Sequence, residues 1–196
     1  MTNLAVFASG TGSNARCITD FFAQSDCARV RLVVSNKPDA PVLAMARERG
    51  IPALVVDRAY FYESERLLSV LAEHSIGFIV LAGFLWLVPT YLVRAYWRRM
   101  VNIHPALLPA YGGKGMYGLR VHEAVKAAGE RETGITIHYV NERYDEGDII
   151  FQARCSVLPA DTPTDIARRV QALEHEHYPR VLERLICSTP ADNAVA

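Results

Sequence analysis

The sequence contains no run of roughly 18 apolar residues, the length a membrane-spanning helix needs. The apolar stretch Leu4 to Ala8 is too short for a secretory signal and leads into a glycine turn. Neither charge is in excess. Lys plus Arg and Asp plus Glu both number 21, so the basic surplus usual in proteins that hold nucleic-acid backbone is missing. The four cysteines, Cys17, Cys27, Cys155 and Cys187, form no C-x-x-C pair and no zinc framework, which predicts free thiols in a reducing compartment. H-E-x-x-H and G-x-S-x-G are absent, so neither a zinc-protease helix nor a serine-hydrolase elbow is indicated. Glu174-His175-Glu176-His177 offers metal-ligand types, but residues two apart on a helix do not share a face, and no metal is expected. These absences predict a cytoplasmic protein, monomer or homodimer, with small-molecule partners and neither a membrane nor a nucleic acid.

Hydrophobic residues make up 51% of the 196, enough for a sizeable core. One domain is expected over residues 1–188, with a frayed tail at 189–196. Short β-rich runs alternate with helical patterns. Strands are predicted at Leu4–Ala8, Val30–Val34, Ala53–Val56, Phe78–Ala82 and Met100–Ile103. Helices are predicted at Asn14–Phe22, Val42–Arg49 and Glu63–His74. The unbroken apolar run FIVLA at 78–82 suits a central parallel strand covered on both faces. Further on, a helix over Leu119–Ala128 precedes strands at Gly134–Val140 and Ile149–Cys155. A long helix over Asp161–Ile186 follows, with Pro163 in its first turn and Asp161 or Thr162 as its cap. The pattern predicts an α/β fold: an open, mostly parallel, twisted sheet with helices on both faces, Rossmann-like.

Gly10-Thr11-Gly12-Ser13-Asn14-Ala15 fits G-x-G-x-x-A directly after a strand and at the start of a helix. Backbone N–H groups there suit an anion, and Ser13 and Asn14 add polar side chains. A side chain at Gly12 is expected to block the backbone's approach to that anion. A dinucleotide site would want an acidic residue about 20 positions on to hold the ribose. Ser35-Asn36-Lys37 stands there instead, and Lys37 suits a phosphate. Phosphomonoester, dinucleotide and plain tight turn all remain open on this loop alone.

Asn102-Ile103-His104-Pro105 ends a predicted strand, where ligands of open α/β sheets collect. Alternation sends Asn102 and His104 to one side. An amide beside an imidazole suits a developing oxyanion and a proton transfer near neutral pH. Asp145, in the turn Asp145-Glu146-Gly147-Asp148, has the chemistry to orient an imidazole, but spacing alone does not bring it to His104.

Taken in order, SGTGSN, VSNK, VLAGF, NIHPALLP, TGITIHYV, YDEGDII and ALEHEHYP resemble the phosphoribosylglycinamide formyltransferase family of folate-dependent purine synthesis. The resemblance implies a formyltransferase fold whose N-terminal half binds phosphate and whose C-terminal half binds folate. It implies 10-formyltetrahydrofolate as co-substrate and glycinamide ribonucleotide as acceptor. By it, Asn102, His104 and Asp145 are catalytic, with Asp145 raising the pKa of His104. Gly12, Ser13, Asn14 and Glu174 contact the acceptor. Leu85, Trp86, Leu87 and Val88 wall the folate pocket, joined by Asn102 and by the loop Asn141, Glu142, Arg143, Tyr144 and Asp145. Thr136 and His138 support the site from beneath. Trp86 replaces an arginine found near the folate tail in many members, and an arginine expected around Glu63–Arg66 has no match. The Gly112–Gly118 segment is longer than usual, either a lid or substrate loop or a flexible loop with no direct contact. A formyltetrahydrofolate hydrolase or a methionyl-tRNA formyltransferase-like enzyme on the same core is the alternative. At this length, neither the latter's C-terminal domain nor the former's N-terminal one is expected. A non-catalytic nucleotide-binding module would leave Asn102, His104 and Asp145 idle.

Overall fold

The computed structural model describes residues 1–187; the predicted tail lies outside them. Strand β1 (Thr2–Phe7) and helix α1 (Ser13–Phe22) open the chain. They are followed by β2 (Ala28–Ser35), α2 (Pro41–Glu48), β3 (Ala53–Val55), α3 (Arg58–Tyr62), α4 (Arg66–Glu73), β4 (Ile76–Leu81), α5 (Thr90–Ala95) and β5 (Met100–His104). Helix α6 (Leu119–Ala127), β6 (Glu132–Tyr139), β7 (Ile149–Ser156) and α7 (Pro163–Cys187) complete it. One seven-stranded sheet runs β3-β2-β1-β4-β5-β6-β7. Its first five strands are parallel, and β6 and β7 add antiparallel pairs at one edge.

The two faces of the sheet follow from strand alternation. Leu4, Val6 and Ala8 join the core beneath α1, α2 and α7. Ala5 and Phe7 join the opposite core with Phe61, Leu67, Leu71 and Leu92 from α3, α4 and α5. Along β4 the run from Phe78 to Leu81 is buried throughout, as a strand covered on both faces requires.

Helix α7 is fixed at both ends of its sequence logic. Thr162 Oγ1 accepts from Asp165 N (3.2 Å) while the Asp165 carboxylate accepts from Thr162 N (3.0 Å), a reciprocal cap. Asp161 does not cap; it accepts from Leu158 N and pairs with Arg169. Deep in the helix, Tyr178 donates its hydroxyl to the Leu81 carbonyl at 2.9 Å, tying α7 to the central strand.

Three features differ from expectation. The helix expected over Glu63–His74 is α4, which starts at Arg66, and an unforeseen short α3 precedes it, capped by Asp57 accepting from Tyr60 N (2.7 Å). Helix α5, unforeseen, follows Pro89. The cysteines are not all free: Cys27, just before β2, is joined to Cys187 at the end of α7, with Cα atoms 5.7 Å apart. A separation of 160 residues hides that pairing from any local pattern. Cys17 and Cys155 are free. Among the described residues no helix is long and apolar enough to cross a membrane.

Candidate active site

Beyond the C-terminal ends of β1, β4 and β5 lies a cavity of about 910 Å³. This is where open α/β sheets place ligands. Strand β5 lines it with Asn102, Ile103 and His104, and β6 lies beside β5. Antiparallel pairing sets Asn102 directly opposite His138, and His104 opposite Thr136, so the four side chains share one face. Val101 and Ile103 alternate into the core.

Asp145 arrives from the loop after β6 with φ of 56°, a left-handed conformation uncommon for a residue with a side chain. Its Oδ1 accepts from Asn102 Nδ2 (3.3 Å) and its Oδ2 lies 3.4 Å from His104 Nδ1. Oδ2 also accepts from Gly113 N at 2.9 Å. Strand order thus supplies the juxtaposition that spacing could not: Asn102, His104 and Asp145 meet.

The bond partners settle the tautomers. His104 Nε2 lies 2.7 Å from the Tyr111 carbonyl, which only accepts, so Nε2 carries a hydrogen and Nδ1 faces the cavity and Asp145. His138 Nδ1 likewise donates to the Tyr139 carbonyl (2.9 Å), which leaves Nε2 to accept from Asn102 Nδ2 at 3.2 Å. Both hydrogens of the Asn102 amide are then committed, one firmly to His138 and one at longer range to Asp145. His138 therefore orients the Asn102 amide. Thr136 donates to the Ala106 carbonyl (2.7 Å) and accepts from Leu108 N (2.9 Å), holding the turn after His104.

Burial pulls the His104 pKa below its ordinary value; Asp145 and the Tyr111 carbonyl pull the other way without overcoming it. Asp145 acts on His104 in the expected direction, but it only limits a fall that desolvation sets. For Asp145 burial opposes ionisation, but His138, His104 and the Gly113 N–H together outweigh it, and the carboxyl sits below its ordinary range.

At the other end of the cavity, α1 begins at Ser13 with Gly12 as its cap residue and no side-chain cap, leaving the first-turn N–H groups open. Gly12 has φ of 75°, and a Cβ there would meet Val42 Cγ2 at 2.6 Å. The packing of α2 therefore requires glycine at 12, a cause that the ligand-based expectation did not include. Gln171 donates to Ser13 Oγ (3.1 Å), and Asn14 Nδ2 donates to Glu174 (2.9 Å). Desolvation pushes Glu174 up to about 7, with the Asn14 bond opposing. Lys37, considered for phosphate, is exposed and does not line the cavity. Its neighbour Asn36 turns back to accept from Ser9.

Leu85 and Trp86 line the main cavity. Trp86, Leu87, Val88, Asn141, Arg143 and Tyr144 line an adjoining cleft of about 50 Å³, which also reaches Asn102 and Asp145. Tyr144 accepts from Leu87 N at 3.0 Å and so joins the two walls. Glu142 is exposed and lines neither space.

Sequence reasoning missed Arg58. Its guanidinium lies 5.3 Å from the centre of the Trp86 ring, at the cavity wall. No carboxylate among the described residues is in ion-pair range of it. No motif flags this arginine; the only hint was the replacement at Trp86. The Gly112–Gly118 segment, left open above, lines the cavity from Gly113 to Gly118. Gly112 packs so closely that a Cβ would meet Leu108 at 2.5 Å and Asp145 at 3.3 Å. The side chains of Glu174 to His177 diverge, Glu174 to Asn14 and His177 against the Phe151 ring.

Residues 2–182 match the formyl transferase family. The chain is 45% identical over 185 residues to the chloroplastic phosphoribosylglycinamide formyltransferase of Arabidopsis thaliana, covering 91% of this chain and 63% of that protein. This chain thus spans less than two thirds of that plant relative. With the phosphoribosylglycinamide formyltransferase of Bacillus subtilis it shares 36% identity over 191 residues, 95% of each. It is also similar to the crystal structure of glycinamide ribonucleotide transformylase 1 from Geobacillus kaustophilus. That match has a TM-score of 0.85 and 38% identity, over 95% of this chain and 99% of the other. By the match over residues 2–182 the chain belongs to the formyl transferase family.

Proposed function

We propose that this protein transfers the formyl group of 10-formyltetrahydrofolate to the amine of glycinamide ribonucleotide, in de novo purine biosynthesis. The observation that carries this is one continuous cavity, with an uncapped helix start at Gly12–Asn14 and the Asn102, His104 and Asp145 cluster both on its wall. The acceptor's phosphate sits on the open N–H groups of α1, where the helix dipole favours an anion. Glu174 contacts the same acceptor. The pterin occupies the cleft between Leu85–Val88 and Asn141–Asp145. Arg58, stacked on Trp86, offers its cation to the carboxylates of the folate tail, in place of the arginines that the sequence lacks.

The attacking nitrogen forms a bond to the formyl carbon, and the formyl oxygen becomes an oxyanion. Asn102 can release its longer bond to Asp145 and turn that hydrogen to the oxyanion, while His138 keeps the amide in place. The His104 Nδ1 lone pair, facing the same centre, can accept the proton that the attacking amine gives up. Collapse breaks the bond to the folate nitrogen. The proton lost by the amine passes to that nitrogen, with Asp145 and His104 side by side to relay it. Holding both reactants in one cavity supplies orientation beyond this acid–base help. We assign the reaction to the cytoplasm, where Cys27 and Cys187 would stand as a dithiol.

The test supplies 10-formyltetrahydrofolate with glycinamide ribonucleotide, its dephosphorylated riboside, methionyl-tRNA or water alone, and follows folate release. Turnover confined to the ribonucleotide is expected. Equal use of the riboside, or transfer only to tRNA, would overturn the assignment.

A further inference from the structure

Helix α6 brings to the cavity a second buried imidazole for which the reaction above has no role. His122 is 5% exposed and lines the same cavity as His104. Its Nδ1 is sealed from solvent without a hydrogen-bond partner. A neutral imidazole has one N–H to donate and one lone pair to accept, and burying such groups unpaired is costly. Packing alone gives no reason for the cost. Val121 and Val125, fully buried on the same helix, show that aliphatic side chains serve this layer.

The surroundings define what His122 can bind. The charged groups on the cavity wall include Asp145, Glu174, Arg58, Lys114, Arg120 and Arg168, with His104 beside them. Arg120 lies over the Tyr117 ring and Arg168 pairs with Asp165, so cations for a phosphate are provided elsewhere. Burial and the neighbouring His104 both favour the uncharged form of His122. A neutral donor and acceptor pair matches a hydroxyl or a carboxamide, which offer a donor and an acceptor in return. Gly118, with φ of 58° and ψ of −139°, turns the glycine-rich segment that lines the cavity into α6, which carries this residue.

We propose that His122 is a binding residue for the acceptor, hydrogen-bonded to its uncharged hydroxyl or amide groups between the phosphate and the amine. This rests on the proposed function. It also gives the longer Gly112–Gly118 segment a purpose: setting α6 so that this ring faces the substrate.

The experiment is calorimetric binding of glycinamide ribonucleotide, and separately of tetrahydrofolate, to the wild type, His122→Phe and His122→Gln. The phenylalanine keeps the volume and removes the polar atoms. It should weaken the ribonucleotide about tenfold and leave tetrahydrofolate within about twofold. Glutamine, which retains a donor and an acceptor, should recover most of that loss. Unchanged ribonucleotide binding in His122→Phe, or equal weakening of both ligands, would overturn the inference. Should the phenylalanine variant not fold, the glutamine variant decides: a tenfold loss with correct folding also counts against hydrogen bonding as the role. A wild type that binds no ribonucleotide overturns the proposed function and this inference with it. Binding by the wild type that His122→Phe leaves intact overturns the inference alone.

Discussion

Glu174→Gln should make the protein more stable above neutral pH. Glu174 opens partly on the cavity, yet enough protein surrounds it to raise its pKa from 4.5 to about 7. The folded state therefore binds a proton that the unfolded chain gives up. The sign follows directly: the contribution to stability is fully present below the unfolded pKa, near 4.5, and is lost as pH rises through the folded pKa, near 7. The whole difference corresponds to about 3 kcal/mol, of which about 2–3 kcal/mol falls between about pH 5 and about pH 8. A glutamine cannot ionise, and its Oε1 can still accept from Asn14 Nδ2, the bond present at 2.9 Å. Urea unfolding of the wild type and Glu174→Gln across that range gives the difference in stability at each pH. It should grow toward the variant as pH rises, while acceptor binding worsens. Parallel profiles, with no change in the difference, would refute the buried-carboxyl argument. A carboxylate held at such cost belongs with function rather than packing, because stability is commonly surrendered at sites that await a ligand.

Asn102→Ala, His104→Ala and Asp145→Asn should each lose about 2–4 kcal/mol or more of transition-state stabilisation with folding intact. Double variants should fall short of the sum, and near-normal turnover by His104→Ala would remove the mechanism. Arg58→Ala should raise KM for formyl folate about tenfold and spare the acceptor. The same loss with a pteroate lacking the glutamate would contradict tail binding. Gly12→Val should destabilise the fold by at least about 1–3 kcal/mol through its clash with Val42, visible as a lower urea midpoint even without ligands. Thiol titration of the oxidised protein should find Cys17 and Cys155 but not Cys27 and Cys187, and reduction should cost about 2–4 kcal/mol of stability.

The sequence by itself determined the alternation of strands and helices, because hydrophobic periodicity is a local property written into each segment. It also determined that Gly10–Asn14 opens a helix and that Asn102 and His104 share a side, since glycine placement and strand alternation act over a few residues. Helix α3 escaped because its run of aromatics, Tyr60, Phe61 and Tyr62, carries no helical stripe in so short a length. Only the tertiary structure decided that Asp145 meets His104, because that contact depends on β6 pairing antiparallel beside β5. The same pairing put His138 beneath Asn102 and fixed which hydrogens each can give. The Val42 wall behind Gly12, the Cys27–Cys187 link, the burial of Glu174 and the stacking of Arg58 on Trp86 likewise join residues far apart in the chain. Such contacts arise from how elements pack, and the order of residues within any one element does not encode them.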